Sequence, residues 1–154
     1  MLPELGEPRD LTFLFTDIEG STGIIRELGD RYSDLLSAHN ELLRAVWGRH
    51  RGVEVATHGD AFFVAFVDAD DAIAATLDAQ RVLAAAEWPT EHPLRVRMGL
   101  HAGYGRPIDG DYRSLAVHQA ARVVDAANGG QVLATDEVLA LRARPTADVV
   151  VTDL

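Results

Sequence analysis

Leu11-Thr12-Phe13-Leu14-Phe15-Thr16, followed by Asp17-Ile18-Glu19-Gly20-Ser21-Thr22, is the stretch from which the fold reads. The first half is a nearly continuous apolar run that stops at Asp17, which predicts a short buried strand. The second half is small and polar, a cap-like opening to helical sequence. Working outward, Leu35, Leu36, Leu42, Leu43, Val46 and Trp47 recur at three-to-four spacing between Arg31 and Arg49, so this segment reads as a helix that Gly52 ends. Val53 to Thr57 and Ala61 to Val67 read as two strands joined by the turn His58-Gly59-Asp60. Asp70 to Ala86 is an Ala-rich helix closed by Trp88-Pro89, with the acidic residues at 68, 70 and 71 suited to its N-terminal dipole. A strand (Leu94 to Ala102), a helix (Ser114 to Ala127), a short strand (Gln131 to Ala134), a short helix (Asp136 to Leu141) and a last strand (Val149 to Thr152) follow. Hairpins mixed with helices predict an α+β fold of the ferredoxin-like or palm type. Its mixed, mainly antiparallel sheet is expected to be covered on one face by helices.

Composition narrows the chemistry. The chain has 154 residues and a formal charge of -10, its basic residues are all Arg, and it contains neither lysine nor cysteine. Schiff-base lysines, P-loop lysines, thiolate nucleophiles, Cys-bound metals and disulfide scaffolds are excluded. The acidic balance argues against direct nucleic-acid binding, which needs clustered positive charge, and suits a metal-nucleotide site better. Residues 1–10 are acidic and Pro-containing with no apolar leader core, and no apolar run approaches the ~18 residues of a membrane helix. A single cytoplasmic domain over 1–154, with residues 1–10 as a tail, is expected.

Asp17 leaves the end of the first strand and Asp60 sits in the turn between the next two, so a central first strand brings both carboxylates to one sheet edge. Hard oxygen ligands placed there suit Mg²⁺ or Mn²⁺, which take a few carboxylates plus substrate phosphates. Gly20, Ser21, Thr22 and Gly23 open a helix whose free amides and dipole favour phosphate. Taken singly, Asp17 and Ser21 also suit helix caps, and Asp60 also suits a plain turn. The remaining histidines carry no zinc spacing, and His101 inside a strand is expected to pack rather than ligate. Arg95 and Arg97 alternate on one strand face and are expected to face water, with a dimer groove as the other reading.

The segments Phe13 to Thr22, Thr57 to Phe63, Met98 to Gly103 (MGLHAG) and Val117 to Arg122 (VHQAAR), in that order, resemble the class III adenylyl/guanylyl cyclase catalytic domain. The resemblance runs from about Leu11 to Leu154 and is similar to the bacterial branch in which this domain precedes a signalling ATPase or a DNA-binding regulator. It implies that a nucleoside triphosphate, ATP or GTP, closes to a 3′,5′-cyclic monophosphate with release of pyrophosphate, aided by two Mg²⁺ or Mn²⁺ ions. Asp17, Asp60 and the backbone carbonyl of Ile18 fall on metal-contacting positions, and Gly20 to Gly23 on the phosphate-binding turn. Arg122 falls on the transition-state arginine, which the resemblance implies is supplied by the second subunit of a homodimer with shared sites.

Three departures stand out. The adenine-reading lysine of the resemblance is Ala56, although its partner is matched by Asp111. The asparagine one helical turn before the arginine is His118, which shares a face with Arg122 and can still make one hydrogen bond to ribose or phosphate. The chain stops at Leu154, where the resemblance continues into a hairpin carrying a basic residue. A weak cyclase is the leading reading, and a catalytically silent module for nucleotide binding or dimerisation the alternative. A diguanylate-cyclase-like palm lacks its second acidic residue, because Ala61 follows Asp60.

Overall fold

The computed structural model describes residues 9–105, 107–108, 111–112, 115–143 and 149–152. In order these form β1 (Arg9–Ile18), α1 (Ser21–Leu28), a 3-10 turn (Gly29–Arg31), α2 (Tyr32–Arg49), β2 (Val53–His58), β3 (Ala61–Phe66) and α3 (Ala69–Ala85). Then come β4 (Val96–Gly105), β5 (Pro107–Ile108), β6 (Asp111–Tyr112), α4 (Leu115–Ala126), β7 (Val132–Ala134) and α5 (Asp136–Ala140). Five strands build one sheet in the order β2-β3-β1-β4-β7, and β5 with β6 forms a separate hairpin. All pairings in the large sheet are antiparallel except β4 with β7. The fold is the α+β class that the pattern of elements predicts.

β1 is central because it is apolar on both faces. Leu14 and Ile18 point to one side, where α2 and α3 deliver Leu35, Leu43, Val46, Trp47, Ala72, Ala75, Ala79 and Leu83 into the larger core cluster. Leu11 and Phe13 point to the other, where Phe63, Ala65 and Ala120 of α4 meet them. Each large side chain so buried contributes about 1.5–3 kcal/mol. Helices therefore cover both faces, not one: the period-2 alternation of β1 leaves a second apolar stripe, and α4 lies across it. Gly99 permits that crossing, since a Cβ there would stand 2.4 Å from the backbone nitrogen of Val124.

Two further expectations differ from the structure. Residues 149–152 form no strand, and Val150 is 86% exposed. Their β-branched run has the right propensity, but a strand exists only as part of a hydrogen-bonded ladder, and none of the described strands pairs with this segment. The helix read from Ser114 begins in the described residues at Leu115, Ser114 itself lying outside them. No helix among the described residues is long and apolar enough to cross a membrane.

Candidate active site

Asp17 is the penultimate residue of β1 and faces the α4 side of the sheet, in register with Arg97 on β4. Arg97 donates from Nε to Asp17 Oδ1 and from Nη2 to Oδ2, both at 2.6 Å, a parallel two-bond fork in a partly buried setting. Asp17 holds the Arg97 guanidinium further above its ordinary value, and the more distant charges of Asp125 and Glu19 act in the same direction. Arg97 is thus not a water-facing strand residue. The alternation in the sequence showed its face, but only the β1–β4 register shows that Asp17 is its cross-strand neighbour. Arg95, by contrast, is exposed.

Asp60 follows Gly59, whose φ of 59° suits the two-residue hairpin turn between His58 and Ala61. Its Oδ2 accepts a 2.7 Å hydrogen bond from the backbone N–H of Ile18, while the Ile18 side chain is sealed in the core. This single bond ties the β2–β3 turn to the residue after Asp17. The negative charge of Asp60 also reaches α2: with burial as the larger cause, it helps raise the Tyr32 phenol, and it partly opposes the burial that pushes His39 down.

α1 starts immediately beyond. Its N-cap is Gly20, left-handed at φ 64°, and no side chain caps it. Ser21 is therefore the first helical residue and not the cap, and the Asp17 carboxylate is bound to Arg97 instead of capping the helix. Ser21 and Thr22 open the first turn at this end, which no side chain caps, while the Gly23 N–H already donates to the Gly20 carbonyl at 3.1 Å. The imidazole of His92 stands 3.4 Å from where a Cβ on Gly23 would lie.

Glu19 carries no local sequence signal, because its partner is 110 residues away. Its Oε1 accepts from the Gly129 N–H at 3.0 Å, and its own N–H donates to the Arg95 carbonyl at 2.8 Å. The first bond ties the residue after β1 to the turn that follows α4, and the second ties it to the start of β4. On α4, His118 and Arg122 are both exposed and one turn apart, and neither bonds Asp17 or Asp60 among the described residues. Ala56 is partly buried on β2 beside Phe15 and Phe63, whose rings stack at 4.5 Å. The backbone of Asp111 opens β6; its side chain lies outside the described residues. One copy of the chain thus brings together Asp17, Ile18, Asp60 and the Gly20–Gly23 turn, and leaves Arg122 and His118 apart from them.

The donor set fits hard divalent cations. Asp60 bonds the amide of the residue next to Asp17, and Asp17 has already drawn a guanidinium onto both oxygens, a stand-in for positive charge. Among the described residues no three His, Cys, Asp or Glu side chains are grouped so as to hold a metal ion. The buried His101 bonds Thr135 Oγ1 at 2.8 Å and takes no part in this cluster. A cleft of about 430 Å³ lined by His50, Asp78 and Arg142 lies along α3, away from these carboxylates, and its Asp78 is already paired with Arg49 and His50.

Fold and site together define an α+β domain whose acidic residues gather at one sheet edge beside an uncapped helix start. The chain belongs to the adenylate and guanylate cyclase catalytic domain family, whose sequence profile matches residues 6–153. An adenylate cyclase of Lachancea kluyveri is 35% identical over 156 residues, covering 84% of this chain and 8% of that protein. One of Mycosarcoma maydis is 32% identical over 164 residues, covering 89% of this chain and 6% of that one. The chain thus spans only a small part of these relatives' length. Among solved structures, an adenylate cyclase from Trypanosoma brucei in its monomeric state superposes with a TM-score of 0.80 at 28% identity, over 87% of this chain and 75% of that one. The guanylate cyclase domain of a Catenaria anguillulae protein, in complex with GTP, has a TM-score of 0.79 at 22% identity over 88% and 83%, which shows a shared fold.

Proposed function

We propose that this chain is a single catalytic domain that converts ATP or GTP to the 3′,5′-cyclic monophosphate and pyrophosphate, slowly, at sites shared between two copies. The observation that carries the reading is the 2.7 Å bond from the Ile18 N–H to Asp60, which holds a second carboxylate one residue from Asp17. The Gly20–Gly23 turn supports it, because uncapped amides at a helix start suit phosphate oxygens. In the reaction the ribose 3′-oxygen bonds to the α-phosphorus, the bond to the pyrophosphate oxygen breaks, and the 3′-hydroxyl proton passes to solvent or phosphate. Asp17, Asp60 and the Ile18 carbonyl are the groups that would hold Mg²⁺ or Mn²⁺, which when bound would stabilise charge on the phosphate oxygens and ease deprotonation of the 3′-hydroxyl.

Arg122, exposed on α4, is assigned to the site of the opposite copy, where its planar fork stabilises charge growing on the phosphate. His118 beside it supplies one hydrogen bond to ribose or phosphate. Asp111 and Ala56 are assigned to the base. With Ala56 in place of a cation, the missing charge-assisted bond is worth about 1.5–3 kcal/mol, and loss of an amide donor at His118 is worth roughly 10²–10³ in rate, which supports slow turnover. The same two residues are what favour the alternative, a silent module for nucleotide binding or dimerisation. A signalling ATPase or DNA-binding regulator in the same protein is the downstream partner that the bacterial resemblance suggests.

Purified protein with Mn²⁺ and ATP or GTP is expected to form cyclic product that Asp17→Ala and Asp60→Ala each abolish. Arg122→Ala is also inactive alone, but mixing it with Asp17→Ala restores product, because one of the two sites in the mixed dimer is then intact. Product surviving both aspartate substitutions refutes the metal assignment, and no complementation refutes the shared site. No product from the wild-type dimer supports the silent module.

A further inference from the structure

Asp17 is claimed twice. The reading above gives it to a divalent cation, yet in this chain both of its oxygens accept from Arg97 at 2.6 Å. The pair is directly cross-strand, so neither backbone can withdraw without breaking the β1–β4 ladder. A change of side-chain rotamer, with Arg97 the longer and more exposed of the two, frees the carboxylate. Side-chain exposures of 27% for Arg97 and 22% for Asp17 leave room at the surface for such a swing. The surroundings favour retention of the cation: besides Asp17, the charges of Asp125 and Glu19 act on Arg97, while the other site carboxylate, Asp60, is taken up by the Ile18 N–H. A guanidinium in contact with the carboxylate and a divalent ion at the same oxygens repel each other strongly at such range.

We propose that Arg97 is a resident counter-cation of the metal site, and that a divalent ion binds Asp17 by displacing it. Arg97 is then a positioning residue that sets the threshold of cation concentration at which the site loads, and it holds Asp17 in its rotamer until loading occurs. The proposal rests on the assignment of Asp17 as a metal-binding residue. A competing charge-assisted fork reduces the apparent affinity by the fraction of time the carboxylate is free, and a pair this exposed lies at the weaker end, about tenfold.

The test is Mn²⁺ binding to the full chain without nucleotide, read from the electron paramagnetic resonance signal of free Mn²⁺. Arg97→Gln is expected to bind Mn²⁺ about tenfold more tightly than wild type, Arg97→Lys to fall between them, and Arg97→Gln with Asp17→Asn to lose the gain. Affinity in Arg97→Gln equal to or weaker than wild type overturns the proposal. If Arg97→Gln fails to fold by circular dichroism, the wild-type chain gives the same information: the Arg97 Nε–H resonance is expected to move to the position of an unpaired guanidinium in step with Mg²⁺ addition. A resonance that stays in place at saturating Mg²⁺ overturns it. If Asp17→Asn weakens Mn²⁺ binding while Arg97→Gln does not change it, this proposal fails alone. If wild type and Arg97→Gln bind no Mn²⁺, the metal assignment fails and this proposal with it.

Discussion

Gly99→Ala places a methyl group where α4 crosses β4. Its Cβ would lie 2.4 Å from Val124 N, 2.7 Å from Val124 Cα and 2.9 Å from Val123 C, all backbone atoms that no rotamer change can move aside. Ordinary contact is about 3.5 Å, so α4 must retreat by about 1 Å. That loosens the buried Ala120 and Val124 against β1 and β4, and overpacking of this kind costs about 1–3 kcal/mol. Because the obstruction is backbone, the upper half of the range is expected. Gly48→Ala is the matched control: it adds the same methyl group at an exposed position of α2, where nothing lies within 4 Å, and should stabilise by about 0.5 kcal/mol by lowering the entropy of the unfolded chain. Urea unfolding followed by circular dichroism measures both, with unchanged m-values required for the comparison. The retreat also carries Arg122, two residues from Val124, and a misplacement of about 1 Å can lower kcat by up to roughly 10²-fold. A cost below about 0.5 kcal/mol for Gly99→Ala, or equal shifts for the two variants, would refute the claim that close backbone packing at Gly99 seats α4.

His39 and Glu27 each make stability depend on pH. His39 is fully buried and its imidazole lies below the ordinary 6.5, chiefly because burial disfavours the charged form. The unfolded chain takes up this proton near pH 6.5 and the folded chain does not, so stability is level above that value and declines as pH falls through it toward the depressed folded value. Urea midpoints between pH 8 and 5 should therefore fall less steeply in His39→Gln than in wild type, and identical slopes would dismiss the idea. Glu27 anchors α1 to the 90–92 segment, its carboxylate held down to about 2 first by the His92 imidazole and then by the amides of Glu91 and His92 and the Thr90 hydroxyl. That anchor is present above the unfolded value near 4.5 and lost as pH falls from there toward 2. Carbon-13 titration of the Glu27 carboxyl should show the low midpoint, with His92→Ala raising it; a wild-type midpoint near 4.5 contradicts the contact.

The central strand and its carboxylate were legible because β1 is apolar on both faces, a local property that needs no partner to be seen. The β2–β3 hairpin was legible from Gly59-Asp60, since a two-residue turn demands a residue tolerant of positive φ. The second helical layer was not, because the stripe formed by Leu11 and Phe13 tells that a face is buried but not which element buries it. Val149 to Thr152 misled for the complementary reason: strand propensity is satisfied only by a pairing partner. Arg97, read from its alternation as facing water, and Glu19, given no partner, take their meaning from registers and contacts across 80 and 110 residues.

Sequence alone determined the residue types available for the chemistry: no lysine at position 56, arginine as the sole strong base, and carboxylates at 17 and 60 at the ends of apolar runs. It could do so because strand and turn patterns arise from near neighbours. The tertiary structure decided which of these groups meet. Strand register set Arg97 on Asp17, the hairpin carried Asp60 to the Ile18 amide, and the outer face of α4 kept Arg122 in solvent. Distances between charges follow from packing, and packing is settled only when distant segments share one core.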